Sequence, residues 1–209
     1  MTVGRFITFE GVEGVGKSTQ LAQLQGALLA AGREVVATRE PGGTPLAERI
    51  RALVLHDRSE PMPDAAELML MFAARAVHTE NLIRPALARG AWVLCDRYTD
   101  ATYAYQGGGR GVADEAIEPL ARLAQRGLMP DLTLLLDVPV AAALPRARAR
   151  TAAADRIEGE TQLFFERVRA RYLQRAALEP LRVRVIDASG DVAAVAARVL
   201  AAVQTLESR

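Results

Sequence analysis

The chain has one cysteine, Cys95, in 209 residues. That excludes an intrachain disulfide and suits a reducing compartment. Cys95 lies inside Ala91-Trp92-Val93-Leu94-Cys95, and its expected role is a buried structural thiol. Histidine is nearly as scarce. His56 and His78 lack metal-ligand neighbours, so no zinc site is expected, and both read as ordinary surface or partly buried residues. An excess of either charge is also missing: 26 basic against 25 acidic residues leave +1. That is no electrostatic footprint for nucleic acid. No apolar run approaches the ~20 residues that span a bilayer. The first residues run into a strand with no basic region and apolar core, so no signal peptide is expected. The expectation is a cytoplasmic protein with neither membrane nor nucleic-acid partner. No internal repeat or clear linker interrupts it, and 1–209 reads as a single domain.

What is present begins with Gly11-Val12-Glu13-Gly14-Val15-Gly16-Lys17-Ser18, which has the spacing of a phosphate-binding P-loop. A strand-like run, Phe6–Phe9, precedes it, and a helix-like run opening at Thr19 follows. Glycines let backbone N–H groups turn inward around phosphate oxygens, and a helix N-terminus adds partial positive charge. Lys17 would reach the β- and γ-phosphates and Ser18 would ligate Mg²⁺. The loop and Thr19 together would hold a nucleoside triphosphate.

Further apolar runs at Val35–Thr38, Trp92–Cys95 and Val183–Ile186 show little polar alternation, as strands buried on both faces do. Leu132–Leu136 could pass for helix on composition, but its short length and the flanking Pro130-Asp131 and Asp137-Val138-Pro139 favour strand. Helical stretches fall at about 17–31, 45–56, 64–89, 112–126, 139–150, 160–178 and 191–207. Alternating strand and helix predict an α/β protein: a three-layer P-loop NTPase fold with a five-stranded parallel sheet and helices on both faces. In that architecture ligands sit at the carboxyl ends of the strands.

The residues after each strand are therefore the candidates. Arg39-Glu40-Pro41-Gly42-Gly43-Thr44 follows strand two; Arg39 reads either as a phosphate clamp or as a surface arginine on a turn. Asp96-Arg97-Tyr98 follows strand three. Asp96 either holds Mg²⁺ or positions Arg97, and Arg97 would stand between two phosphate sites; the plain alternative is a helix cap and a surface ion pair. Tyr103-Ala104-Tyr105-Gln106-Gly107-Gly108-Gly109-Arg110-Gly111 reads as a loop able to approach a ligand closely, with Gln106 suited to a base edge and Tyr105 to a sugar. Phe72 and Arg75 share a helix face, where Phe72 either stacks on a base or belongs to the core. Arg146, Arg148, Arg150 and Arg156 suggest a short mobile lid, about 146–158, that brings arginine over transferring phosphates. Pro145, inside the helix entering it, should kink or hinge that helix.

Taken together these segments resemble bacterial thymidylate kinase over nearly the whole chain. The resemblance rests on the P-loop, the Arg39–Thr44 segment, Asp96-Arg97-Tyr98, the tyrosine–glutamine–triple-glycine segment, Pro130-Asp131 through Asp137, and the lid arginines with Asp155-Arg156-Ile157-Glu158. It implies transfer of a phosphoryl group from Mg-ATP to dTMP by a homodimer. It assigns Arg39 and Arg97 to the dTMP phosphate, Glu13 to the acceptor sugar, Phe72 to stacking on thymine and Arg75 to its carbonyl. Thr102 and Gln106 would approach the base and Tyr105 the sugar's 2′ position. Lys17 and Arg97 would be catalytic, with Arg148 or Arg156 from the lid, because this P-loop carries Glu13 and no arginine. The competing readings are a kinase for another nucleotide or a deoxynucleoside, a guanine-nucleotide switch, and a P-loop protein without catalysis. The Asn/Thr-Lys-x-Asp motif of guanine switches is absent, and strand five leads instead into Asp187-Ala188-Ser189-Gly190. That segment is better placed to meet adenine through its backbone.

Overall fold

The computed structural model describes residues 3–57, 59–149, 156–157 and 159–207. Five strands form one parallel sheet: β1 (Arg5–Glu10), β2 (Val35–Arg39), β3 (Trp92–Asp96), β4 (Leu132–Asp137) and β5 (Val183–Asp187). Their spatial order is β2-β3-β1-β4-β5. The register sets Phe9 beside Asp96 and Glu10 beside Leu135. The P-loop after β1 and the acid after β3 thus emerge together at one sheet edge, as the right-handed crossover rule requires.

Strand periodicity divides the core. Ile7, Phe9, Leu94 and Leu134 pack with Leu21, Leu24 and Leu28 of α1 (Lys17–Ala30) and with Val195, Val199 and Val203 of α9 (Val192–Glu207). Phe6, Val93 and Cys95 pack instead with Ile83, Ala86 and Tyr98. Thr8 and Thr133 are buried neighbours on adjacent strands and satisfy each other's hydroxyls at 2.8 Å.

The remaining helices are α2 (Pro45–His56), α3 (Asp64–His78), α4 (Arg84–Ala88), α5 (Thr99–Thr102), α6 (Asp114–Gln125), α7 (Val140–Arg148) and α8 (Gln162–Leu178). Local signals start two of them. Thr44 accepts a hydrogen bond from Ala47 N ahead of Pro45, and Thr161 accepts one from Phe164 N; such caps contribute about 1 kcal/mol each. The predicted helix 64–89 is continuous, but a π-helical turn, Thr79–Ile83, joins α3 to α4 just ahead of Pro85. Proline has no N–H to continue a regular ladder, and a widened turn accommodates it. The helix entering the expected lid, α7, runs through Pro145 to Arg148. The rest of the expected lid, 150–155 and Glu158, lies outside the described residues.

One expectation was wrong in kind. Tyr103–Gly109 is a π-helical turn continuing α5, not a loop. The glycines there serve close packing. A Cβ at Gly108 would stand 2.6 Å from the Arg171 side chain, and one at Gly109 would stand 2.5 Å from the Phe164 ring. Both neighbours belong to α8, so glycine lets α8 lie directly against this turn.

Candidate active site

Three P-loop glycines have left-handed backbones: Gly11 at φ 129°, Gly14 at φ 78° and Gly16 at φ 96°. Two are also sterically required. A Cβ at Gly11 would meet Leu136 O at 2.4 Å, and one at Gly14 would meet Ala143 O of α7 at 2.0 Å. The backbone of the lid-side helix therefore rests on the phosphate loop. Gly16 caps α1 without a side-chain acceptor, which leaves the first helical N–H groups for an anion.

Lys17 is buried. Its Nζ donates to Gly11 O at 3.1 Å and Val12 O at 2.9 Å, and stands 3.7 Å from Glu13 Oε2. Burial, and then the charge of Arg97, lowers its pKa against the opposing pull of Glu13, Asp96 and Glu10. The ammonium thus lies in a site that lacks enough negative charge, and phosphates would supply it. Ser18 Oγ donates to Asp96 Oδ2 at 3.3 Å, and Asp96 Oδ1 is buried with no hydrogen-bond partner among the described residues. A hydroxyl beside a half-satisfied carboxylate is a hard oxygen donor pair, which fits Mg²⁺ bound mainly through substrate phosphates. Among the described residues no cluster of three or more His, Cys, Asp or Glu could by itself hold a metal.

Arg97 occupies the centre. Its Nη1 donates to Gly11 O at 2.9 Å and Tyr172 OH at 3.1 Å, and its Nη2 pairs with Glu13. The guanidinium lies 4.6 Å from the centre of the Tyr105 ring. Burial opposes its charge, but Glu13 first, then Tyr105, Tyr172 and Asp96, outweigh burial and raise its pKa. The residue itself has φ 73°, a left-handed conformation that costs a non-glycine residue ~1–2 kcal/mol.

Behind Arg97 lies Glu10, fully buried, accepting from Tyr98 N and Tyr172 OH, each at 2.7 Å. Burial, reinforced by Asp100, pushes its pKa from 4.5 up to about 8. The unfolded chain releases this proton near pH 4.5, whereas the folded chain keeps it until about 8. The contribution of Glu10 to stability is therefore full below pH 4.5 and falls as pH rises through 8. Relative to wild type, Glu10→Gln should gain on the order of a few kcal/mol between pH 5 and pH 8, read from urea midpoints. The same difference at both pH values would remove Glu10 from the titration.

A cleft, partly open to solvent, adjoins these groups. Glu13, Arg97, Tyr105 and Gln106 line it together with Glu40, Pro41, Arg51, Leu55, Met71, Ala101 and Ile157. Among the expected substrate contacts, Glu13, Arg97, Tyr105 and Gln106 are therefore together. Gln106 Oε1 is buried without a partner among the described residues.

Other expected residues stand elsewhere. Arg39, at the end of β2, is exposed and pairs with Glu48 at 3.1 Å. Phe72 is 3% exposed and packs with Leu68, Tyr103, Ile117, Ala121 and Ala124. The covering of that face by α6 puts Phe72 in the core, and the preceding residue, Met71, forms the cavity wall on α3. Arg75 is buried, with its Nε on Glu40 Oε2 at 2.7 Å and its Nη2 on Tyr98 O at 3.1 Å, while Nη1 is unpartnered among the described residues. Thr102 is buried, with its hydroxyl likewise unpartnered. Arg148 is exposed on α7. Arg156 is held between α2 and α3, with Nε on Val54 O at 3.0 Å and Nη2 on Glu67.

His78 was expected to be a surface or partly buried residue. It is fully buried, with Nδ1 2.9 Å from Glu40 Oε1 and Nε2 2.7 Å from Thr38 Oγ1. It steadies the carboxylate that holds Arg75. Arg51 escaped the sequence reading, although a signal exists: Ala47, Val54 and Leu55 form the buried face of α2, and Arg51 is the one charge set four residues before Leu55.

A family model described as thymidylate kinase matches residues 9–199. Thymidylate kinase of Chromohalobacter salexigens is 59% identical over 202 residues, covering 96% of this chain and 95% of that protein. The corresponding protein of Teredinibacter turnerae is 57% identical over 192 residues, covering 92% and 93%. The crystal structure of thymidylate kinase from Ehrlichia chaffeensis superimposes with a TM-score of 0.77 at 32% identity, covering 97% of this chain and 99% of that one. With a P-loop, an acid–arginine pair after β3 and a partly open cavity in one place, and relatives matching nearly end to end, the chain belongs to the thymidylate kinase family.

Proposed function

We propose that this protein transfers the γ-phosphoryl group of ATP to the 5′-phosphate of dTMP, releasing ADP and dTDP. One phosphate oxygen of dTMP forms the new bond to γ-phosphorus as the bond to the ADP oxygen breaks. The observation that carries this reading is Arg97, set between the phosphate loop and the cavity: it touches Gly11 O and Glu13 and also lines the acceptor side. Membership of the family and its near-complete coverage supply the substrate pair.

The acceptor oxygen is already anionic at neutral pH, so no general base is assigned. Rate acceleration comes from positioning and charge neutralisation. Lys17 and the α1 N-terminus hold the donor phosphates. Arg97 orients the acceptor phosphate, and Arg51 joins it in place of Arg39, which turns away to Glu48. Glu13 faces the sugar and Tyr105 limits the room beside it. Met71, not Phe72, provides the apolar wall for the base, with Gln106 and Arg75 Nη1 as its polar partners. Ser18 and Asp96 would hold Mg²⁺, which neutralises phosphate charge when bound. Arg148 and Arg156 are the lid arginines of this reading. Arg156 reaches donor phosphates only after leaving Glu67, which makes lid closure part of turnover.

The whole chain serves as one catalytic domain working in the cytoplasm. No helix among the described residues is long and apolar enough to cross a membrane. Ala65, Met69 and Ala73 form an exposed stripe on α3, and a homodimer would cover it. The test offers Mg-ATP with dTMP, dUMP, dCMP, dGMP, UMP or thymidine and follows ADP release. dTMP should be the best acceptor, and thymidine, which has no phosphate for Arg97 to hold, should be nearly inert. A preference for thymidine or a ribonucleotide would overturn the assignment. Light scattering on the same sample should give twice the mass of one chain; a monomer would remove the dimer.

A further inference from the structure

Glu67 is absent from the cavity wall, yet it holds two groups around it. It lies on α3, 1% exposed. Its Oε1 accepts from Gln106 Nε2 at 2.6 Å. Its Oε2 pairs with Arg156 and stands 3.5 Å from Arg110 Nε. A buried carboxylate with two guanidinium groups on one oxygen and an amide on the other is fully engaged, and its chemistry fixes which end of the amide it meets. Carboxylate oxygens accept and do not donate. The NH₂ end of Gln106 must therefore face Glu67, and the reversed amide would set two acceptors against each other.

This orientation has a consequence on the cavity side. Gln106 lines the cavity, and its Oε1 is buried with no donor among the described residues. A buried acceptor left unpaired is unfavourable, and a ligand that supplies an N–H relieves it. The pyrimidine edges differ at this point. Thymine and uracil carry a hydrogen on N3, flanked by carbonyls. Cytosine has a bare acceptor at N3. A fixed carbonyl oxygen welcomes the first and repels the second.

We propose that Glu67 is a specificity-determining positioning residue: by holding the Gln106 amide in one orientation, it makes the base pocket demand a ring N–H and reject cytosine. The inference rests on the dTMP reading above and adds the residue that enforces it. Glu67 touches no substrate. It acts through Gln106, and its removal would free the amide to turn its NH₂ toward the base. A glutamine at 67 both donates and accepts, so it permits either orientation.

The test compares kcat/KM for dTMP and dCMP in wild type, Glu67→Gln, Gln106→Leu and the double variant. Wild type should favour dTMP strongly, because sites built around a hydrogen bond reject analogues lacking it. Glu67→Gln should lower the dTMP-to-dCMP ratio by about tenfold or more. Gln106→Leu should lower it at least as far, and adding Glu67→Gln should lower it no further, since the amide that Glu67 orients is gone. A loss in Glu67→Gln that falls equally on both substrates, or a further full decrease in the double variant, would overturn the proposal. If Glu67→Gln does not fold, Glu67→Asp keeps the acceptor one methylene shorter. It should keep the ratio within about threefold of wild type while raising KM for dTMP, and a ratio collapsed to that of Gln106→Leu would overturn the proposal. Wild type inactive on dTMP defeats the functional reading itself, whereas an active wild type with an unmoved ratio in Glu67→Gln defeats only the role of Glu67.

Discussion

Lys17→Ala is expected to lower kcat by at least about 10³-fold while leaving the fold intact. The ammonium is desolvated and held by two loop carbonyls, Gly11 O and Val12 O, where the proposed mechanism puts the donor phosphates. A group in that position gains most when charge spreads over the transferring phosphoryl, so its loss should appear in kcat and not in KM alone. Stability should respond differently. The folded state lowers the pKa of Lys17, chiefly through burial and then through Arg97. Folding therefore works against that charge, and free Lys17→Ala should melt no lower than free wild type. The stabilisation that ATP gives wild type should shrink in the variant, because binding to the native state shows as a thermal shift. Turnover and melting with and without ATP check both claims. Full activity in the variant would end the P-loop mechanism.

The contrast between Lys17 and the cavity beside it shows where sequence information lies. The P-loop could be read because its function needs fixed spacing along a continuous segment, and Gly11 and Gly14 are required by backbone geometry and close approach alike. The central strands β1, β3 and β4 could be read because each is an apolar run buried on both faces, and Asp96-Arg97 because it directly follows one of them; β2 and β5, at the sheet edges, are only partly buried. The cavity is built from separate elements. Met71 and Phe72 are adjacent, apolar and both buried, and only the packing of α6 decides that Phe72 turns to that helix while Met71 also lines the cavity. Glu67 and Gln106 are 39 residues apart, and no local pattern announces their bond. The glycines at 107–109 suggested a flexible loop because sequence shows missing side chains without showing that α8 fills the space at 108 and 109. His78 and Glu40 likewise become a buried pair only when β2 and α3 are in place.

Arg97 gives the second large effect, and here shape should matter as much as charge. Arg97→Ala should reduce kcat by about 10³-fold or more, by comparison with other arginines that stabilise phosphoryl transfer. Arg97→Lys keeps the positive charge and should still lose about 10²-fold. The guanidinium reaches three partners at once: Gly11 O and Tyr172 OH through Nη1, and Glu13 through Nη2, while its plane lies over Tyr105. A lysine ammonium is a single hydrated point on a flexible stem and cannot reproduce that planar fork. The backbone points the same way. Arg97 is held at φ 73° with its N–H on Phe9 O at 2.9 Å, so the strand end aims this side chain at a cost that a surface arginine would have no reason to bear. Glu10 and Tyr172 brace the fork from behind, since Tyr172 accepts from Arg97 and donates to Glu10. With dTMP as acceptor, both variants should lose kcat and kcat/KM together, because the fork is used most fully as phosphoryl charge develops. If Arg97→Lys retained activity within tenfold of wild type, charge alone would suffice and the braced geometry would have no catalytic purpose. A loss confined to KM in both variants would make Arg97 an anchor for the acceptor phosphate and place the stabilisation of transition-state charge on Lys17 and the lid.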